Sequence, residues 1–284
     1  CGTERVTPRK PGPVKGAVIT AASGVFCLAA LGIPVGSNFI MSFSDSFSIQ
    51  KFRFTLDNYR GVLELDGALL RGVQNSLSLA AVAAVIGLLV GFAAAYLLTY
   101  SRFKLKRLID LLTLTAMAVP GVVLGIGYIF VWNQKWLASV GLNLYGKPEI
   151  LILASVASAV PLINRVLVGG MSKVPEQLLT ASQIQGAGLA RRIRTVLLPL
   201  LHSSTVSAVL AAFGGSVFNL AITTILYPPN FSTLPVYISD AYNDLKFGYA
   251  AAATIVGGTF IIGIMLILEF VLNIGKRKQN ADNT

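Results

Sequence analysis

The chain has 284 residues, of which 54% are apolar and only 12% are charged, with a net charge of +11 and a mean hydropathy of +0.71. A soluble domain carries about twice that charged fraction. A globular enzyme is therefore excluded, and the long apolar runs indicate an all-α polytopic membrane protein, since a helix satisfies its own backbone polar groups in lipid.

Six spans are predicted, each near the 20 or so apolar residues that a hydrocarbon core of about 30 Å requires. Residues 1–16 include the Pro- and Lys-rich TPRKPGPVK, which reads as a linker or cytoplasmic tail. The first span is placed at 17–42, where Cys27 is expected to be a small packing residue. Residues 43–76 are too long for a turn, and DNYRGVLELDGALLRGVQNSL is expected to lie as an interfacial helix before the second span. That span, 77–100, carries Ala80, Ala81, Ala83, Ala84, Gly87 and Gly91, small residues suited to close helix packing. The third, 108–132, is broken by Pro120-Gly121. Residues 133–148 supply Trp136, Tyr145 and Gly146 as an interfacial anchor and turn. The fourth span is 149–170, with Pro161 inside it, and the fifth is 200–226. YPPN at 227–230 signals a turn before a short amphipathic stretch. The sixth span, 249–274, precedes a cytoplasmic tail at 275–284.

Most of the 23 basic residues fall on one side if both termini are inside. Arg102, Lys104, Lys106 and Arg107 then share the cytosol with Lys173, Arg191, Arg192 and Arg194, and with Lys276, Arg277 and Lys278. The positive balance is explained by orientation in the bilayer. No basic patch is interleaved with aromatics, so nucleic acid is not an expected partner.

Few groups in the spans carry chemistry. Asp110, Arg165 and Glu269 lie near the inner ends, and no deep acidic relay of the kind an ion-driven pump would use is present. No Walker A pattern occurs, so ATP is not expected on this chain. His202, the lone histidine, is read as a local hydrogen-bonding residue. No catalytic set or metal-ligand cluster can be assembled, and no cofactor is expected on this chain. Ser216, Asn219, Thr223 and Thr224 are pathway candidates in mid-span, with interhelical hydrogen bonding the alternative. Pro120 and Pro161 are either gating hinges or static kinks.

The polar, basic segment VPEQLLTASQIQGAGLARRIRTVLLP, Val174 to Pro199, stands out between the fourth and fifth spans. Pro175 suits a first helical turn. A short helix is expected over 176–185, with Leu178, Ala181 and Ser182 on one face. Gly186 and Gly188 would then reverse the chain at positive φ, and a second short helix would run over 189–198. Two short helices joined at glycine make a knob that can enter a partner's groove and transmit rigid-body motion.

The spacing within 171–199 resembles the coupling loop of binding-protein-dependent ABC-importer permeases: Glu-Ala-Ala, three residues, Gly, nine residues, Ile, one residue, Leu-Pro. Here Thr180-Ala181-Ser182, Gly186, Val196 and Leu198-Pro199 take those places, with Glu176 and Gly188 alongside. Thr180 replaces the usual Glu, so that residue's specific contact is in doubt. The resemblance covers nearly the whole chain and is to the MetI-like permease fold, with residues 17–274 as the domain. TLDNYRGVL, VPGVVLGIGYIFVW and ITTILYPPNFSTLPVYI are most similar to the C-terminal half of tandem iron(III)-type permeases, and the leader resembles the linker joining such halves. The resemblance implies an inner-membrane subunit with no enzymatic site of its own. It also implies a cytosolic ATPase dimer that binds ATP and Mg, an extracytoplasmic substrate-binding protein and a second permease half. Iron(III) is the expected cargo; polyamine, phosphonate, thiamine or sulfate transport would use similar strings. A secondary carrier or channel is the alternative class.

Overall fold

A computed structural model describes residues 12–45, 53–64, 67–102 and 104–281. Cys1, Arg5, Arg9 and Lys10 of the leader lie outside the described residues. The described residues form helices and no strand, apart from one isolated antiparallel bridge between Ser44 and Phe54. In chain order the helices are α1 (Pro13–Cys27), α2 (Ile33–Ser42), α3 (Asp57–Glu64), α4 (Ala68–Tyr100), α5 (Lys106–Ala118), α6 (Gly121–Trp132), α7 (Lys135–Ser139) and α8 (Pro148–Met171). They continue as α9 (Glu176–Ile184), α10 (Leu189–Arg192), α11 (Leu198–Val217), α12 (Leu220–Leu226), α13 (Leu234–Asn243) and α14 (Phe247–Ala281).

Five of these stretches are long and apolar enough to cross a membrane, or six if α5 and α6 count as one bent span. The predicted positions hold except for the fifth span, which runs Leu189–Val217, with α12 set off by a break at Asn219 inside the predicted 200–226; three further points concern shape. First, the break expected at Pro120-Gly121 is made and is sharp: α5 and α6 meet at 109° around Val119 and Pro120. Second, α4 begins at Ala68, and the second half of the expected interfacial helix belongs to the second span. Nothing after Gly67, itself at φ +64°, interrupts the helix. At 33 residues α4 is about 50 Å long, more than a bilayer core needs. Third, α14 runs past residue 274 to Ala281, through what was expected to be a tail.

Prolines locate the irregular turns. Pro34 and Pro199 each follow a widened i→i+5 turn, Leu28–Gly32 and Ile193–Leu197. A proline ring clashes with the carbonyl four residues back and removes a donor; a π turn just upstream accommodates both defects while the helix continues. Pro161 is different: it is buried inside the unbroken α8.

In lipid, apolar contact between helices gains little over contact with acyl chains, so close packing must supply the association. α4 is the central element and enters three buried clusters. Its small-residue face meets α8: a Cβ on Gly91 would stand 2.8 Å from Ile163 Cγ2, and one on Gly87 3.0 Å from Ile163 Cδ1. The close packing read from the sequence is therefore made, and made against the fourth span. α11 completes a three-helix core with Leu167, Met171, Leu197 and Leu201 fully buried. α13 is seated on α4 and α14. Ser76 Oγ accepts from Leu234 N at 2.9 Å, Asn75 Nδ2 donates to Ser232 O at 2.9 Å, and the hydroxyls of Tyr237 and Tyr249 are hydrogen-bonded.

The first span departs from expectation. Its apolar window has no residue buried within the chain, and Cys27 is exposed on its surface, not packed. α1 touches no other span closely, whereas α2 lies on α14. A run that is apolar on every face carries no signal for which face has a protein neighbour.

Candidate functional site

The segment 174–199 is a knob built on the three-helix core. Pro175 caps α9, and Glu176 stands in its first turn, where a carboxylate complements the helix dipole. Leu179 is the residue of α9 that turns inward, 3% exposed, into the cluster with Met171 and Leu197. Leu178 and Ala181 face outward. Thr180 donates its hydroxyl to Glu176 O at 3.2 Å, and Ser182 to Leu179 O at 2.9 Å. Both hydroxyls are thus spent within the helix.

The chain leaves α9 through a Schellman motif. Ala187 N donates to Ser182 O at 3.0 Å and Gly186 N to Gln183 O at 2.9 Å, with Gly186 at φ +80°. Gly186 thus does what its place in the sequence suggested. Gly188 does not: it caps α10 at φ −65°, ψ 167°, an extended conformation open to any residue. The second short helix is also not separate. α10, the π turn and α11 form one continuous span, Leu189–Val217. The π turn absorbs Pro199, so no break is needed where the sequence suggested one. Val196 packs on the core, whereas Leu198 and Pro199 are exposed. Gln183 Oε1 accepts from Arg192 Nη1 at 2.9 Å, a strut across the turn. The knob is therefore one short helix hinged at Gly186 onto the rigid extension of the fifth span. Tyr100, at the end of α4, donates to Met171 O at 2.8 Å and lies 3.3 Å from Val174 O, tying the second span to the base of the knob.

The pathway candidates are not gathered at one mid-span face. Ser216 is buried in the last turn of α11, and Asn219 lies in a break between α11 and α12. Asn219 Oδ1 accepts from Ile222 N at 3.1 Å as the N-cap of α12. Thr223 donates to Asn219 O, and Thr224 to Leu220 O at 2.7 Å. Asn219 and Thr223 are thus neighbours because one caps the helix of the other, and the bonds are local, not interhelical. Pro120 caps α6 at the other break, and the two breaks adjoin. A Cβ on Gly121 would lie 3.1 Å from Ala221 Cβ, and one on Gly125 3.1 Å from Ile225 Cγ2. α6 and α12 are consequently a packed pair; α6 turns away from α5 at 109°, and α12 follows α11 after the break at Asn219.

Two features were not legible in the sequence. Arg165 Nη2 binds Asp110 Oδ1 at 2.8 Å and Asp110 O at 3.1 Å, fastening α5 to α8. Asn164 is fully buried with neither amide atom hydrogen-bonded. The bond expected of His202 is not made by its Nδ1, which is buried and has no partner.

Together these features define a multi-pass helical membrane protein with a polar knob braced by three packed spans. The chain belongs to the family described as the binding-protein-dependent transport system inner membrane component, whose family model matches residues 87–279. It is 27% identical over 239 residues to the ferric transport system permease protein FbpB of Actinobacillus pleuropneumoniae, covering 83% of this chain and 33% of that one. It therefore spans about a third of that relative's length. It is 23% identical to the molybdate/tungstate transport system permease protein WtpB of Pyrococcus furiosus, covering 90% of this chain and 95% of that one. Among solved structures it shares the fold of a chain from a bacterial ABC transporter that imports alginate. That match has a TM-score of 0.73 and 16% identity, over 92% of this chain and 94% of the other.

Proposed function

We propose that this chain is the membrane-spanning subunit of an ABC importer, with residues 1–16, 171–199 and 275–284 in the cytosol and residues 17–274 as the permease domain. The 174–199 knob is the coupling element. A partner ATPase dimer that binds ATP and Mg grips α9, and its closure moves the knob together with the three-helix core to which Tyr100 fixes its base. The single observation that carries the reading is the Schellman turn at Gly186. It projects α9 away from the span, while Leu179 and the Gln183–Arg192 strut keep the helix from moving independently of α8 and α11. Force on α9 must then reach the three-helix core, because close-packed interiors shift as bodies and do not deform continuously.

The remaining parts follow from the same mechanism. A second permease half closes the pathway, and an extracytoplasmic binding protein delivers the cargo. The paired breaks at Pro120 and Asn219 are where α6 and α12 reorient as the pathway alternates, with Ser216 and Thr223 beside them. The cargo is iron(III), a reading supported by the ferric permease relative over most of this chain; the oxyanion permease relative makes molybdate the comparison substrate.

The test is co-purification of the permease with a candidate ATPase. Gly186→Pro sets φ near −65° where +80° is required, and it should abolish the complex or its substrate-stimulated ATP hydrolysis. Retention of both would refute the coupling role. Cysteine labelling at Gln183 and Arg191 from the cytosolic face checks the orientation, and uptake of iron(III) against molybdate in proteoliposomes checks the cargo.

A further inference from the structure

The chain leaving α4 comes to lie against α9, although the two are far apart in sequence. Tyr100 fixes that approach through Met171 O and Val174 O. Two residues on, Arg102 borders a hollow of about 410 Å³ whose other walls are Glu176, Gln177, Thr180, Ala181 and Ile184. Ile184 is 83% exposed and leaves a large apolar side chain open at the edge of the hollow. Neither Arg102 nor Glu176 makes an ion pair among the described residues. Thr180 turns its hydroxyl back to its own helix and offers no charge where the related loop pattern has Glu.

The hollow thus has one basic wall, one acidic wall and an apolar floor, with both charges left open. An anionic lipid headgroup suits Arg102 but is repelled by Glu176. A protein surface can answer both signs at once and fill the floor.

We propose that the ATPase docks on two loops and not one: a side chain of the partner seats on Ile184 and Ala181, while Arg102 meets an acidic group and Glu176 a basic group of the ATPase. The proposal rests on the coupling reading given under Proposed function. In this arrangement Glu176, one turn earlier, supplies the negative charge that Thr180 lacks. The partner also holds the ends of both α4 and α9, so the second span moves with the knob.

The test uses the full complex reconstituted with the ATPase in anionic lipid, with the photo-crosslinker benzoylphenylalanine placed at Ile184, at Arg102 or at Lys147 beyond the opposite end of α8. The expected result is an ATPase adduct from 184 and from 102 and none from 147. An ATPase adduct from 184 with only lipid adducts from 102 overturns the two-loop surface and leaves the coupling helix standing. No ATPase adduct from either position removes the coupling reading itself. In a second measurement, Arg102→Glu should weaken ATPase binding about tenfold at low salt, with the difference shrinking at high salt as exposed charges are screened. Unchanged affinity at low salt overturns the role of Arg102.

Discussion

Replacing Gly186 by alanine isolates the turn that projects α9. Gly186 sits at φ +80°, and a Cβ added there meets nothing within 4 Å. The substitution therefore introduces no clash, and its whole effect is the backbone penalty of an L-residue in the left-handed region, about 1–2 kcal/mol. Such a penalty changes an equilibrium by about 5- to 30-fold. It falls on whichever equilibrium relieves the turn: ATPase affinity if the knob re-forms differently, or thermal stability of the permease if it does not. Gly188 is the matched control, also with open space around it but at φ −65°. Gly188→Ala should leave both quantities unchanged. Gly186→Asn should recover most of the loss, since asparagine tolerates this region and Asn230 already occupies it at φ 67°. The assay is equilibrium binding of the ATPase to permease in lipid nanodiscs, paired with thermal unfolding of the permease alone. If Ala at 186 and Ala at 188 give the same affinity and the same melting curve, the hinge reasoning is wrong.

Gly91→Ala puts a Cβ 2.8 Å from Ile163 Cγ2 and should destabilise the α4–α8 contact by about 1–3 kcal/mol; Ile163→Ala should partly relieve it, a non-additivity visible in thermal unfolding of the double variant. Arg165→Gln leaves Asp110 without its cation and should lower stability by about 1 kcal/mol, as the pair is partly exposed, whereas Asp110→Asn combined with Arg165→Gln should cost less than the sum of the two. Additive costs in the mutant cycle, the double variant losing the sum of the two singles, would show that the pair does not hold α5 to α8. Asn219→Ala removes the N-cap of α12, worth about 1 kcal/mol, and should raise hydrogen exchange at Ile222 N while leaving α11 unchanged.

How much could be read without coordinates depends on the range over which each feature is determined. Spans were legible because lipid requires every crossing segment to satisfy its own backbone and to be apolar over its own length, a local condition. Gly186 was legible for the same reason, since a glycine after a short polar helix is itself the structural requirement. Gly188 was misread because two nearby glycines look alike in sequence, and only the cap geometry separates the one at positive φ from the one in extended backbone. The continuity of Leu189–Val217 was missed because Pro199 normally argues for a boundary, and a π turn five residues wide removes that need. Cys27 was misplaced because an apolar span has no marked face.

Composition, run lengths and loop spacing therefore determined the fold class, the order of the spans and the location of the knob, because each is set by neighbours in the chain meeting a uniform solvent. The tertiary structure alone decided which spans touch and where they break. It also decided what Asp110, Asn219 and Arg102 face, because those outcomes depend on side chains tens of residues apart arriving at the same place.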